Sequence, residues 1–400
     1  MLDNSAAGKD TGKLRFLFII TLFWFSHYVF IPYFTPYLEG LGILPTAIGI
    51  IVGTYGFSQL LLRIPFGALA DRLRSHRLFM LLGFACLMLA GGLLIFADSP
   101  AFFMAGRFLS GVSASTWISF TVFYAGRYPG ARAGKAVGAV MVANNLGVLL
   151  SYLVGMVLYD RVGISGLLVV SICTAGLGLI LVLAKKEQEQ FGDKRMRLSD
   201  LPVVLRDKNL LLYSGLAALT QFIVFATTQS FTANYAKDLG ASGLELGLLS
   251  VVASLVGILG SFWTGTDASR KVSDRLQLSV AFLLLGVNCL LVPACTTMYA
   301  LYAVQAIGGV GRAILLSLTM SLSSRTIPDH LKSTSMGVYQ SIYGLGMTLG
   351  PVLTGGIMGI TGGYATAFYV IAGLSGLGLV WSALVVKNPS VQSNMNTNNA

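Results

Sequence analysis

The sequence predicts an all-α membrane protein: twelve transmembrane helices in two pseudo-symmetric six-helix bundles. Three observations predict it. The composition is too apolar for a water-soluble surface, twelve apolar runs have spanning length, and an internal repeat divides the chain in half.

The 400 residues are 55% hydrophobic and only 11% charged, with mean hydropathy +0.75. A soluble chain carries roughly 25% charge, and a disordered one pairs low hydrophobicity with high charge; both classes are excluded. Glycine is abundant at 47 residues against 11 prolines, without collagen periodicity. Cys86, Cys173, Cys289 and Cys295 all lie in apolar runs with no C-x-x-C spacing. They read as small hydrophobes, so no disulfide framework, metal site or cofactor is expected.

A bilayer core takes about 20 apolar residues per helix. Runs near 14–38, 46–70, 77–97, 101–124, 133–158, 163–184, 210–235, 243–264, 276–297, 299–323, 334–359 and 364–386 qualify as spans 1 to 12. The first is too long for a signal-peptide core. The runs are continuous, whereas a β-barrel alternates in segments of about ten residues. The longest polar interruption falls mid-chain. The domains are therefore 1–184, a cytoplasmic charged linker at 185–209, and 210–400 with a short tail.

Net charge is +11. With a cytoplasmic N-terminus, all but five of the 27 basic residues fall on the cytoplasmic side. The exceptions are Arg161 and Lys237 opposite, and Arg63, Arg107 and Arg312 inside spans. This asymmetry is a topology signal: multi-pass with both termini cytoplasmic and no nucleic-acid partner; the inner membrane of a bacterium is the expected location.

An offset of 198 residues maps Tyr37, Leu41 and Gly42 onto Tyr235, Leu239 and Gly240. It also maps Gly67, Arg72, Ser75 and Arg77 onto Gly265, Arg270, Ser273 and Arg275, and Gly111-Val112 onto Gly309-Val310. Duplicated halves with a binding site between them are a recurring transporter plan.

The segment from Gly67 through Asp71-Arg72 to Arg77, between spans 2 and 3, resembles the cytoplasmic signature of the major facilitator superfamily. Arg107-Phe-Leu-Ser-Gly111 resembles its R-x-x-x-G pattern in span 4. Arg74 stands where the signature has glycine, and Ser269 replaces the aspartate in the second half. The resemblance implies a conformational latch: Gly67, Asp71, Arg72 and Arg77 against the start of span 11 at Ser333-Thr334. There a helix N-terminus favours an anion, and the contact would hold the outward-open state. Small residues every fourth position, Gly147, Ser151 and Gly155 in span 5 and Gly346, Gly350 and Pro351 in span 11, read as packing surfaces.

All sixteen acidic residues lie in loops or at span ends, yet Arg107 and Arg312 lie mid-span. An intramembrane charge is by default a functional hypothesis. With no acidic side chain at that depth, a substrate carboxylate, phosphate or sulfate could supply the counter-charge, and guanidinium suits such groups. Arg63, nearer a span end, is expected to snorkel.

The resemblance places the cavity between spans 1, 4, 7 and 10. Helical spacing then selects Trp24, His27 and Tyr28; Arg107, Ser110 and Trp117; Gln221, Phe225, Thr228 and Thr232; and Gln305 with Arg312. Aromatic walls with a few convergent polar groups form small-molecule sites. His27 titrates near neutral pH and is the candidate for proton coupling.

No P-loop, G-x-S-x-G or H-E-x-x-H occurs, so no enzyme is expected. The expected function is a secondary active transporter, a monomer in the lipid bilayer moving a small organic solute by alternating access. Proton-linked efflux, as antiport, is the first reading. An importer or exchanger of an organic anion is the alternative, and a transport-dead receptor of the same fold is the remote one.

Overall fold

The computed structural model describes residues 4–128, 132–184, 200–328 and 331–386, the side chains of 4–11, 132–135 and 333 excepted. Among the described residues no strand occurs, and ten helices are long and apolar enough to cross a bilayer. The number reconciles with twelve spans. Span 4 is divided at Thr116 into Pro100–Ser115 and Trp117–Ala125, each too short to count alone. Spans 5 and 6 run together as Arg132–Ala184 and turn at Gly163, with φ 65° and ψ −170°. Only glycine occupies that region without strain.

The remaining spans are Asn4–Tyr28 with Ile31–Gly40, Pro45–Leu73, His76–Ile95, Gly243–Thr264, Asp274–Leu291, Met298–Ser323, Lys332–Thr361 and Tyr364–Val385. Span 7 is composite: Lys208–Ala226, a π-helical turn Thr227–Phe231, then Thr232–Asp238. Residues 185–199 of the expected linker, and the tail from 387, lie outside the described residues. At the start of span 7 the Asp207 carboxylate accepts the Leu210 N–H at 2.7 Å, an ordinary helix cap.

The repeat is visible in the backbone. Gly42 (φ 77°) and Gly240 (φ 88°), equivalent under the 198-residue offset, both adopt the left-handed conformation after spans 1 and 7. Arg74, at the usual glycine position of the signature, does so too (φ 50°), the one non-glycine residue with positive φ among the described residues. Its Cβ makes that conformation cost roughly 1–2 kcal/mol.

The halves meet along spans 2 and 11 and along spans 5 and 8. In lipid no hydrophobic force drives helices together, so association relies on close backbone approach. A Cβ at Gly56 would lie 2.6 Å from the Met347 backbone, and one at Gly53 2.6 Å from the Thr348 carbonyl. Gly147 and Gly155 lie against the span 1 backbone at Thr21 and Val29, and Gly346 and Gly350 against span 7 at Ala218 and Phe222.

The end opposite the termini (the far end) is closed by polar bonds between the halves. The Thr35 hydroxyl donates to the Ser230 carbonyl at 2.7 Å, and the Asn234 amide donates to the Thr35 carbonyl at 3.2 Å and the Glu39 carboxylate at 2.6 Å. Tyr364 donates to the other Glu39 oxygen at 3.1 Å. The Asp160 carboxylate, ending span 5, accepts the Gly243 and Leu244 N–H groups that open span 8, at 3.1 and 3.2 Å.

Asp160→Asn keeps an acceptor but removes the charge from that helix start, an interaction worth about 0.3–1 kcal/mol at an exposed site. We expect a two- to five-fold rise, roughly, in far-side thiol labelling of Ile31→Cys, which lines a pocket beneath the seal. Labelling that stays unchanged would mean the other bonds hold the far end alone.

Candidate functional site

Between the halves lies a cavity of about 390 Å³, reached by Tyr28 of span 1, Tyr152 and the Asn144-Asn145 pair of span 5, Gln229 of span 7 and Arg312 of span 10. It extends toward the terminal side as far as Met141 and Met320. Two small pockets adjoin it on the side of the far end, sharing Gln229 with its wall. One is lined by His27, Tyr28, Tyr55, Arg107, Phe225 and Gln229, the other by Thr228, Gln229, Ser230 and Gln305 with Ile31. No aspartate or glutamate lines any of the three.

The three arginines inside spans have different fates. Arg63 does not snorkel: it is 1% exposed. It donates to Gln340 Oε1 at 3.1 Å, Tyr343 Oη at 2.6 Å, Gln59 Oε1 at 2.5 Å and the Ala114 carbonyl at 3.4 Å. Sequence placed it near a span end. Span 11 lies across that end, so its polar partners are in the protein rather than at the lipid surface.

Arg107 is 4% exposed and donates no hydrogen bond to any described residue. Its guanidinium lies over the Tyr55 ring at 4.6 Å and the Phe34 ring at 5.6 Å. Stacking of this kind offsets part of the desolvation but supplies no hydrogen-bond acceptor, and Nε is buried without a partner among the described residues. Arg312, half-buried against Gly257, likewise has no described hydrogen-bond partner or ion pair.

The other expected residues divide. His27 lies in the Arg107 pocket, its Nδ1 2.9 Å from the Phe23 carbonyl oxygen and Nε2 3.3 Å from that of Ser110. A neutral ring donates to one of these and an imidazolium to both. Phe225 stacks on Tyr55 with centroids 6.2 Å apart, and the Thr228 hydroxyl donates to Gln305 Oε1 at 3.2 Å. Trp24 and Trp117 line none of the three cavities; they meet edge to face at 5.1 Å inside the aromatic core of the first half. The Ser110 hydroxyl turns back to the Gly106 carbonyl at 3.0 Å, and Gln221 reaches no cavity described above.

In the signature loop Gly67 is buried and Arg72 exposed. Asp71 is 6% exposed with a carboxylate oxygen 3.4 Å from His76 Nε2. Arg77 donates to the Val182 and Leu183 carbonyls at 3.2 and 2.9 Å, tying the loop to the end of span 6. Thr334 is fully buried; the side chain of Ser333 lies outside the described residues. In the second half Ser269 donates to Gln277 Oε1 at 2.9 Å and its carbonyl accepts from Gln277 Nε2 at 3.0 Å.

Sequence reasoning missed Tyr55, Tyr152 and Gln229. Tyr55 and Tyr152 sit on spans 2 and 5, outside the four spans taken to line the cavity. Gln229 was displaced by the π turn, which sequence periodicity cannot show.

Two half-length bundles closing on a central polar cavity match a known architecture. The profile of the Major Facilitator Superfamily matches residues 16–287 and 215–398. The chain belongs to the major facilitator superfamily. An uncharacterized MFS-type transporter of Methanocaldococcus jannaschii is 23% identical over 388 residues, 91% of this chain and 98% of its own. The inner membrane transport protein YajR of Escherichia coli is 24% identical over 94% of this chain and 83% of its own. Among solved structures, a mutant of the nucleoside transporter NupG superposes with TM-score 0.76 at 13% identity, over 94% of this chain and all of that one. This facilitator is a multi-pass membrane transporter and not an enzyme.

In this facilitator the Arg63 cluster joins span 2 of one half to span 11 of the other. Arg63→Met removes every donor and leaves the Gln59 and Gln340 oxygens dry, at about 1–3 kcal/mol each. We expect a lowered unfolding midpoint in detergent, partly rescued by Arg63→Lys. An unchanged midpoint would show that water replaces the guanidinium.

Proposed function

We propose that this transporter carries a small organic solute bearing a carboxylate, phosphate or sulfate group across the inner membrane by alternating access. One observation carries the reading: Arg107 and Arg312 line adjoining cavities with no hydrogen-bonding partner among the described residues, and no acidic residue lines those cavities. Holding an uncompensated ion inside a protein costs several kcal/mol. An anionic solute would offset this cost at the moment of binding. The same absence of carboxylates disfavours a cationic solute.

The terminal side is cytoplasmic in this reading, because the basic residues gather there, and the likeness to YajR supports the inner membrane. The structure then corresponds to a cavity offered to the cytoplasm with the far end sealed. The whole cavity lies between the halves of one chain, which supports a monomeric carrier. Asp71, with its place in the signature loop, is the proposed latch of the opposite state. Asp71→Asn should therefore shift far-side labelling of Ile31→Cys downward, opposite in sense to Asp160→Asn.

A second reading, proton-linked efflux, is favoured by His27. Both ring nitrogens face carbonyl oxygens, an arrangement only the imidazolium satisfies fully. Right-side-out and everted vesicles separate import from export.

Arg312→Gln should weaken binding of transported anions by about 2–5 kcal/mol, the cost of leaving a desolvated charge contact unmade. Arg312→Lys should lose less but still fail to restore transport, since an ammonium lacks the planar two-point contact. His27→Gln should flatten the pH dependence of transport and leave binding in place. Uptake of radiolabelled organic acids into vesicles measures all three. Normal anion transport by Arg312→Gln would make that arginine structural and end the anionic reading.

A further inference from the structure

Gln229 is the one residue that lines all three adjoining cavities: the large one with Arg312 and Tyr152, the pocket with Arg107, and the pocket with Gln305. It is half-buried, shares the wall of the large cavity with Tyr152, and its side chain makes no hydrogen bond to any described residue. A primary amide offers two donors and an acceptor with two lone pairs, so that capacity is free for a solute.

Local backbone explains why it faces there. Span 7 carries a π-helical turn over Thr227–Phe231. Thr227 has φ −118° and ψ −83°, and the Ser230 hydroxyl donates to the carbonyl of Phe225, five residues back, at 2.5 Å. A turn that holds one extra residue rotates everything after it by about 100° relative to an unbroken α-helix, since each residue turns 360°/3.6. The face that runs Gln221, Phe225 and Thr228 would continue to Thr232. Instead Thr232 is fully buried with its hydroxyl unpartnered, and Gln229 occupies the cavity. π-Bulges of this kind cluster at functional sites.

We propose that Gln229 is a solute-contacting, specificity-determining residue standing between the Arg312 and Arg107 subsites, placed there by the π turn. The solute class narrows accordingly: an organic anion whose charged group meets an arginine and which carries a second hydrogen-bonding group for the amide. Passage from the open cavity toward the far end would carry it past Gln229 from one guanidinium to the other. The inference rests on the anionic reading for its subsites, but its geometric part is independent of that reading.

The test needs no identified solute. Cys86, Cys173, Cys289 and Cys295 are replaced by serine, and Gln229→Cys or Thr232→Cys is introduced singly into the full chain. Should that background fold poorly, only Cys173 need be replaced, because the other three are buried. Each variant is treated with anionic methanethiosulfonate ethylsulfonate and with its cationic trimethylammonium counterpart, and rates are divided by those for a free thiol. Gln229→Cys should react, with the anionic reagent favoured by about 10-fold or more, as in a water-filled cleft of one charge sign. Arg312→Gln in the same chain should reduce that preference, and Thr232→Cys should stay inert. Reaction at 232 with none at 229 would overturn the placement. Reaction at 229 with no anionic preference would overturn the arginine subsites and the anionic reading together, leaving only the register of the π turn.

Discussion

A guanidinium inside a membrane protein must find hydrogen-bond acceptors in the protein, in a solute or in cavity water, because neutralising the group is too costly. The three intramembrane arginines meet that constraint in two ways. Arg63 gives both terminal nitrogens to side chains and a carbonyl drawn from three spans of both halves, its Nε alone lacking a partner among the described residues. Arg107 and Arg312 do not: Arg107 lies over two ring faces, Arg312 lies against Gly257, each lines a cavity, and neither has a hydrogen-bond partner among the described residues. The first arrangement is a structural joint. The second, in the proposed function, is completed by an anionic solute.

The frame holds those two charges on opposite halves, each lining one of two adjoining cavities. Glycines on spans 2, 5 and 11 bring backbones into contact where larger side chains would hold them apart. At the far end, Glu39 and Asp160 use their charge on an amide, a phenol and a helix N-terminus. These bonds are few and polar, which suits a closure that must open. The helix-start contact at Asp160 is the kind of interaction that the Asp71 loop was expected to make at the other end.

Much of the fold was legible in the sequence, because the bilayer demands long apolar runs and the repeat kept its register. Even Arg74 could be read: it occupies a glycine position, and its left-handed backbone shows why glycine is usual there. The two unsatisfied arginines, with Tyr28, His27, Phe225, Thr228 and Gln305, were legible as well, since helical spacing and the rarity of buried charge point to them. Arg63 was misread because depth along one span does not reveal the neighbour that crosses it. Trp24 and Trp117 were misassigned because an aromatic face says nothing about whether a cavity or a core lies beyond it. Gln229 was missed because a single extra residue in a turn changes the face without changing the sequence pattern.

The most direct test compares solutes that differ only in charge. Organic acids are screened against the purified full-length protein, each beside its own primary amide, and bound ligands are followed into proteoliposomes. If Arg107 and Arg312 await an anion, acids bind and are carried while the matched amides bind at least about 100-fold more weakly, the lower part of the range for an unmade buried charge contact. Equal binding of acid and amide would contradict this, and would show that Arg107 and Arg312 serve the fold rather than the solute.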